Sequence, residues 1–169
     1  MSIVQTNIPY SSGILIKDLS RLINTYSFLS VQIVGTSVLG KPLYVLKLGN
    51  GNNKVFYSAS IHANEWITTT VLMKFVEDYC ISYTNNTNLY NHSIRDLFQH
   101  SSIYIMPMVN PDGVDLVTDN LSVTSPAYLQ AQNIANNFPS ISFPDGWKAN
   151  INGVNFCNYQ PHFLIKCPI

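Results

Sequence analysis

His62-Ala63-Asn64-Glu65 stands where an apolar run, Val55-Phe56-Tyr57-Ser58-Ala59-Ser60-Ile61, gives way to helical periodicity that begins near Trp66. A strand that feeds a helix through a short polar junction is the building unit of an α/β domain. The junction limits the chemistry as well as the fold. A three-residue step in helical or turn-like backbone sets two side chains on one face. Imidazole nitrogen and carboxylate oxygen are donor types of catalytic zinc sites, which use three protein ligands and leave one position open. His62 and Glu65 are therefore candidate metal ligands, and a third is needed.

The rest of the pattern extends the α/β reading. Ser11 or Ser12 can cap a helix whose apolar positions Leu15, Leu19, Leu22, Ile23 and Tyr26 recur at helical spacing. Strands are predicted over 30–35 and 42–48, joined through Leu39-Gly40-Lys41 as a hairpin. After the turn Gly49-Asn50-Gly51-Asn52-Asn53, residues 54–61 read as a buried central strand. The helix over 66–83 carries a stripe of Ile67, Val71, Leu72, Phe75, Val76, Tyr79 and Cys80, with Lys74, Glu77 and Asp78 off it. A short helix over 93–98, a buried strand over 102–109, a turn at Asn110-Pro111-Asp112-Gly113 and a helix over 126–138 follow. The sum is an α/β domain with a mainly parallel or mixed sheet.

Composition removes several function classes. With 46% hydrophobic and 12% aromatic residues the chain is not disordered, and 169 residues suffice for one domain with a core. Nine basic residues balance nine acidic ones, so nothing directs the chain to nucleic acid. No run is long enough for a transmembrane segment, and the first residues show no secretory signal. Cys80, Cys157 and Cys167 are too few and odd in number for a disulfide framework. Cytoplasmic residence is the expectation. Three matches to the glycosylation sequon, at Asn85, Asn91 and Asn120, are read as chance in an Asn-rich chain. His92 and His100 are expected in solvent.

Three segments in order then carry a resemblance. Ser58-Ala59-Ser60-Ile61-His62-Ala63-Asn64-Glu65-Trp66-Ile67-Thr68-Thr69 resembles the first metal-ligand segment of the zinc metallocarboxypeptidase superfamily. Asn110-Pro111-Asp112-Gly113 resembles the loop after its next strand, and Gly146-Trp147-Lys148-Ala149-Asn150 with Gly153-Val154-Asn155 resembles the start of its substrate-carboxylate segment. The Ala63 and Trp66-Ile67-Thr68 forms, with Ser37-Val38-Leu39-Gly40-Lys41-Pro42-Leu43-Tyr44, look most like the bacterial γ-D-glutamyl-meso-diaminopimelate peptidase I branch, which cuts cell-wall peptides.

The resemblance implies the N-terminal part of a mixed sheet flanked by helices, incomplete at its C-terminal side. Residues 8–155 would form a partial catalytic domain and 156–169 an aberrant tail. It implies zinc (Zn2+) held by His62, Glu65 and a later His, with a general-base Glu further on. The chain has neither of those regions, and Asn152 stands where the family tends to have Arg. No catalytic residue is assigned, and substrate-binding residues are not identified. Two ligands hold zinc less well than three, so occupancy and turnover by this chain alone are not expected. His162, in the tail, is read as incidental, Lys148 as solvated and Trp147 as core. The implied partners are a muropeptide and a complementing polypeptide with the C-terminal portion, with action at the cell wall as the other location. The competing readings are a non-catalytic muropeptide-binding module, a non-functional gene fragment, and a carboxypeptidase acting on protein C-termini.

Overall fold

The structure is a computed structural model that describes residues 2–155; the tail, with His162, Cys157 and Cys167, lies outside the described residues. Helix α1 (Ser12–Thr25) opens at Ser11, whose hydroxyl accepts from the Ile14 N–H. Its Leu15, Leu19 and Leu22 are buried. Strands β1 (Ser30–Thr36) and β2 (Pro42–Leu48) form the expected antiparallel hairpin, with a register shift between Ile33 and Gly35. Strand β3 (Asn53–Ser58) leads through a 3-10 turn at Ala63–Glu65 into α2 (Ile67–Asn85), which ends on Asn86 in the left-handed region. Two short strands, β4 (Asn88–Leu89) and β5 (His92–Ser93), precede α3 (Ile94–His100) and β6 (Ser101–Met106). Helices α4 (Pro111–Val117) and α5 (Pro126–Ala135) complete the described elements.

The main sheet runs β1-β2-β6-β3, antiparallel except for the β3–β6 pair. It is therefore mixed, with one β-α-β crossover through α2. Leu46, Leu48, Ile103 and Ile105 on one sheet face share a core with Leu15, Leu19 and Leu22 of α1 and Met73, Val76, Tyr79 and Cys80 of α2. A second, smaller cluster joins Ala63, Leu116, Ala131, Trp147 and Ile151.

Three sequence expectations are corrected. β3 is an edge strand, and all six of its residues are exposed, where a buried central strand was expected. Its apolar composition reports what a sheet can cover, and among the described residues nothing lies beyond it. The apolar stripe of α2 is also divided: Ile67 and Val71 face solvent at 49% and 62% exposure, while Glu77 is buried. The helix carries apolar residues on more than one side, so periodicity alone does not select the core face. Glu77 is tolerated inside because Ser2 Oγ, at 2.6 Å, and the Ile3 and Val4 N–H groups donate to it, and Lys74 Nζ stands 3.2 Å away. Finally, Asn110-Pro111-Asp112-Gly113 begins α4 instead of forming a free turn. Asn110 caps it by accepting from the Gly113 N–H at 3.1 Å, with Pro111 in the first turn.

Asp112 and Asp115, both buried, tie α4 to the hairpin and to α1. Lys41 Nζ lies 2.7 Å from Asp115 and 3.3 Å from Asp112. The Leu39 N–H and Ser37 Oγ donate to Asp112 at 2.9 and 3.0 Å, and the Ser12 N–H donates to Asp115 at 2.7 Å. Sequence reading did not anticipate this clamp; its only trace was two acids one helical turn apart in a chain poor in charge.

Candidate metal centre

His62 and Glu65 sit past the C-terminal end of β3, beside its parallel partner β6. Ligand sites of open α/β sheets form there, where strand ends splay and loops replace them. The pairing of the two strands outlasts the strands themselves. The Ala59 N–H donates to the Met106 carbonyl at 3.0 Å, the Val109 N–H to Ala59 at 3.0 Å, and the Asn110 N–H to Ser60 at 3.1 Å.

The junction is fixed residue by residue. Ser60 takes a positive φ of 48° and turns the chain out of the sheet. Its N–H donates to Thr68 Oγ1 at 2.9 Å, and its hydroxyl meets Thr69 Oγ1 at 2.6 Å. His62 is still extended (φ −87°, ψ 139°) and precedes the 3-10 turn. The Ala63 and Asn64 N–H groups, which that turn leaves without internal partners, donate to the carbonyls of Lys148 and Trp147, each at 3.1 Å. Asn110 braces the same place, its side-chain amide donating to the Ala149 carbonyl at 2.9 Å. Gly113 packs so closely that a Cβ there would stand 2.7 Å from the Ala63 Cβ.

This frame brings the two predicted residues together. His62 Nδ1 and Glu65 Oε1 are 2.9 Å apart, with side-chain exposures of 19% and 47%. Ligands on one tetrahedral zinc with bonds of about 2.0–2.1 Å stand roughly 3.3 Å apart, so a small displacement would let the pair share an ion. Donor type and spacing fit zinc. The number does not: among the described residues no third His, Cys, Asp or Glu joins them. Nearby, Asn64 Oδ1 and Trp147 Nε1 are buried and hydrogen-bonded to nothing among the described residues. Trp147 is core, 7% exposed, and packs edge-on to Phe143 with ring centres 5.8 Å apart. Lys148 is exposed, as expected, and the Asn152 side chain accepts from Gln130 Nε2 at 3.1 Å.

The profile described as zinc carboxypeptidase matches residues 15–162, most of the chain. The chain belongs to the zinc carboxypeptidase family. It is 40% identical over 152 residues to γ-D-glutamyl-L-diamino acid endopeptidase 1 of Lysinibacillus sphaericus, covering 90% of this chain and 38% of that protein. It is 38% identical to the uncharacterized protein YqgT of Bacillus subtilis, covering 90% and 40%. Among solved structures, a metallo-carboxypeptidase from Burkholderia cenocepacia superposes with a TM-score of 0.60 at 20% identity, covering 87% of this chain and 32% of that one. That likeness establishes the fold. The chain thus spans about two fifths of the length of these two relatives. No helix among the described residues is long and apolar enough to cross a membrane.

Proposed function

We propose that His62 and Glu65 are two ligands of a catalytic zinc ion in a peptidase centre directed at the γ-D-glutamyl–meso-diaminopimelate bond of cell-wall peptides, and that this chain supplies that part of the centre without turnover by itself. The observation that carries the reading is the convergence of His62 Nδ1 and Glu65 Oε1 at the open ends of two parallel strands. The substrate class rests on the 40% identity to an endopeptidase named for γ-D-glutamyl-L-diamino acid bonds.

When bound, zinc would supply Lewis acidity toward a peptide carbonyl. The work of this chain is to hold one nitrogen and one oxygen donor in register on a turn that cannot drift. The extended backbone at His62 leads into the turn, and the Ala63 and Asn64 hydrogen bonds fix that turn to the 147–148 segment. General-base catalysis requires a positioned proton acceptor besides the ligands, and the resemblance implies a Glu for that role downstream of the segments that carry it.

Zinc uptake by the purified chain, read by competition with a chromophoric chelator, tests the ligand assignment. Weak one-to-one binding that falls at least tenfold in His62→Ala and in Glu65→Gln is the expected result; equal binding by both variants removes the assignment. With zinc added, the wild-type chain should leave a γ-D-glutamyl-diaminopimelate peptide uncut above buffer. Chelator-sensitive hydrolysis would refute the absence of turnover.

A further inference from the structure

We infer that Ser60 is a positioning residue for the Glu65 carboxylate: its hydroxyl, delivered by a left-handed backbone, locks the Glu65 end of the turn onto the ends of β3 and β6. The role rests on the proposal above, in which Glu65 and His62 share an ion.

Ser60 stands apart from the other non-glycine residues at positive φ. Asn86, Tyr90, Asn91 and Asp119 take such angles at exposed turns. Ser60 is 1% exposed, at φ 48°. A side chain in the left-handed region is strained where glycine is not, and strain of this kind persists where the surroundings over-determine it. At Ser60 those surroundings are identifiable. Its N–H donates to Thr68 Oγ1 at 2.9 Å, and its carbonyl accepts from the Asn110 N–H at 3.1 Å. Its hydroxyl lies 2.6 Å from Thr69 Oγ1 and 3.3 Å from the Glu65 carbonyl oxygen.

Counting protons assigns the bonds. Ser60, Thr68 and Thr69 have one hydroxyl proton each. Thr68 donates to the Glu65 carbonyl at 2.7 Å, and Thr69 donates to the carbonyl of Pro107, one residue past β6. Thr69 Oγ1 is then left to accept, and the Ser60 proton is directed at it and shared with the Glu65 carbonyl. Two hydroxyls thus meet at that carbonyl and orient the peptide that follows Glu65. The peptide before it is held as well, because the Glu65 N–H donates to the His62 carbonyl at 3.2 Å. With both flanking peptides oriented, the Cα–Cβ bond of Glu65 leaves in one direction. That matters because the side chain is 47% exposed and gains little orientation from packing. Ala63 and Asn64 are anchored separately, to the carbonyls of residues 147 and 148. Ser60 and its two threonines connect the carboxylate end of the turn to the strands.

Ser60→Gly and Ser60→Ala separate positioning from stability. Both remove the hydroxyl, but glycine also relieves the backbone, so Ser60→Gly should melt about 2–4 °C above Ser60→Ala. In metal-free protein, cross-relaxation between the His62 ring Hε1 and the Glu65 Hγ protons, read by NMR, should fall by more than half in both. Zinc affinity, by the chelator competition above, should fall about tenfold in both, the loss expected when a group that orients a metal ligand is removed. Thr69→Val should repeat these losses, and Thr69→Ser, which keeps the hydroxyl, should behave as wild type. Retained cross-relaxation in Ser60→Gly, losses that follow melting temperature instead of the hydroxyl, or a Ser60→Ala protein that melts at or above Ser60→Gly each overturn the inference. The two readings fail separately. Cross-relaxation lost with the hydroxyl, in a chain whose zinc uptake ignores His62→Ala, removes the ligand assignment alone. Zinc uptake that needs His62 but is indifferent to the Ser60 hydroxyl removes the positioning role alone.

Discussion

Gly113→Ala is the substitution that most directly tests how the His62 turn is held. The new Cβ would lie 2.7 Å from the Cβ of Ala63, which is fully buried, and 2.6 and 2.8 Å from the two side-chain polar atoms of Asn110. Carbon atoms pack comfortably at about 3.5–4.0 Å, so the turn or α4 must retreat by roughly 1 Å. Overpacking of this kind costs about 1–3 kcal/mol. Disturbing the Asn110 cap adds about 1 kcal/mol, and the helix preference of alanine over glycine returns about 1 kcal/mol. The net loss is about 1–3 kcal/mol, or a melting point lower by about 2–12 °C at roughly 2–4 °C per kcal/mol. Gly13→Ala is the control: its Cβ would meet only Ser11 Oγ at 3.8 Å, and stability should hold or rise by up to about 1 kcal/mol. Urea and thermal unfolding of the three proteins decide the matter. A Gly113→Ala protein as stable as wild type would mean that α4 and the turn do not press on one another, and the account of the site's rigidity would fail.

Glu77→Gln should cost about 1–3 kcal/mol near neutral pH and progressively less in acid. Burial pushes the Glu77 carboxyl up, but hydrogen bonds from Ser2 and Ile3 and the nearby Lys74 ammonium outweigh it and hold the group below its ordinary value. Its stabilisation is thus complete above the unfolded-state pKa and lost as pH falls through the depressed folded value. Urea titrations at a series of pH values check this, and a gap between the two proteins that stays flat or widens in acid contradicts it. Cys80 should resist alkylation in the native state, because burial pushes its thiol up to about 12. Peptide mapping after iodoacetamide at about pH 8 should find Cys80 modified only in denaturant, and labelling of the folded protein at the rate of a free thiol would rule out the buried placement.

Local patterns in this chain were legible wherever the responsible interactions are local. The hairpin strand over residues 42–48 begins and ends as the sequence implies, because turn chemistry and pairing are set within a few residues. Ser11 caps α1 by the same logic. The His62–Glu65 juxtaposition was also readable, since a three-residue step in a turn has little freedom. What escaped depends on distant partners. Glu77 reads as a surface acid until Ser2, Ile3 and Val4 are known to lie over it. Asp112 reads as a turn residue until the Leu39 N–H and Lys41 arrive from the hairpin. β3 reads as interior because its side chains are those of an interior strand, and no rule of periodicity says whether a neighbour is present.

The support of the His62 turn by Trp147 and Lys148 carries a consequence for biosynthesis. These carbonyls, and Ile151 in the cluster beneath, emerge some ninety residues after the histidine. At roughly 5–20 residues per second of synthesis, that is a delay of about 5–20 s. Over that interval the imidazole and carboxylate ride on a loop with unanchored amides. The turn is set late, and the mutual placement of His62 and Glu65 waits on residues far downstream of them.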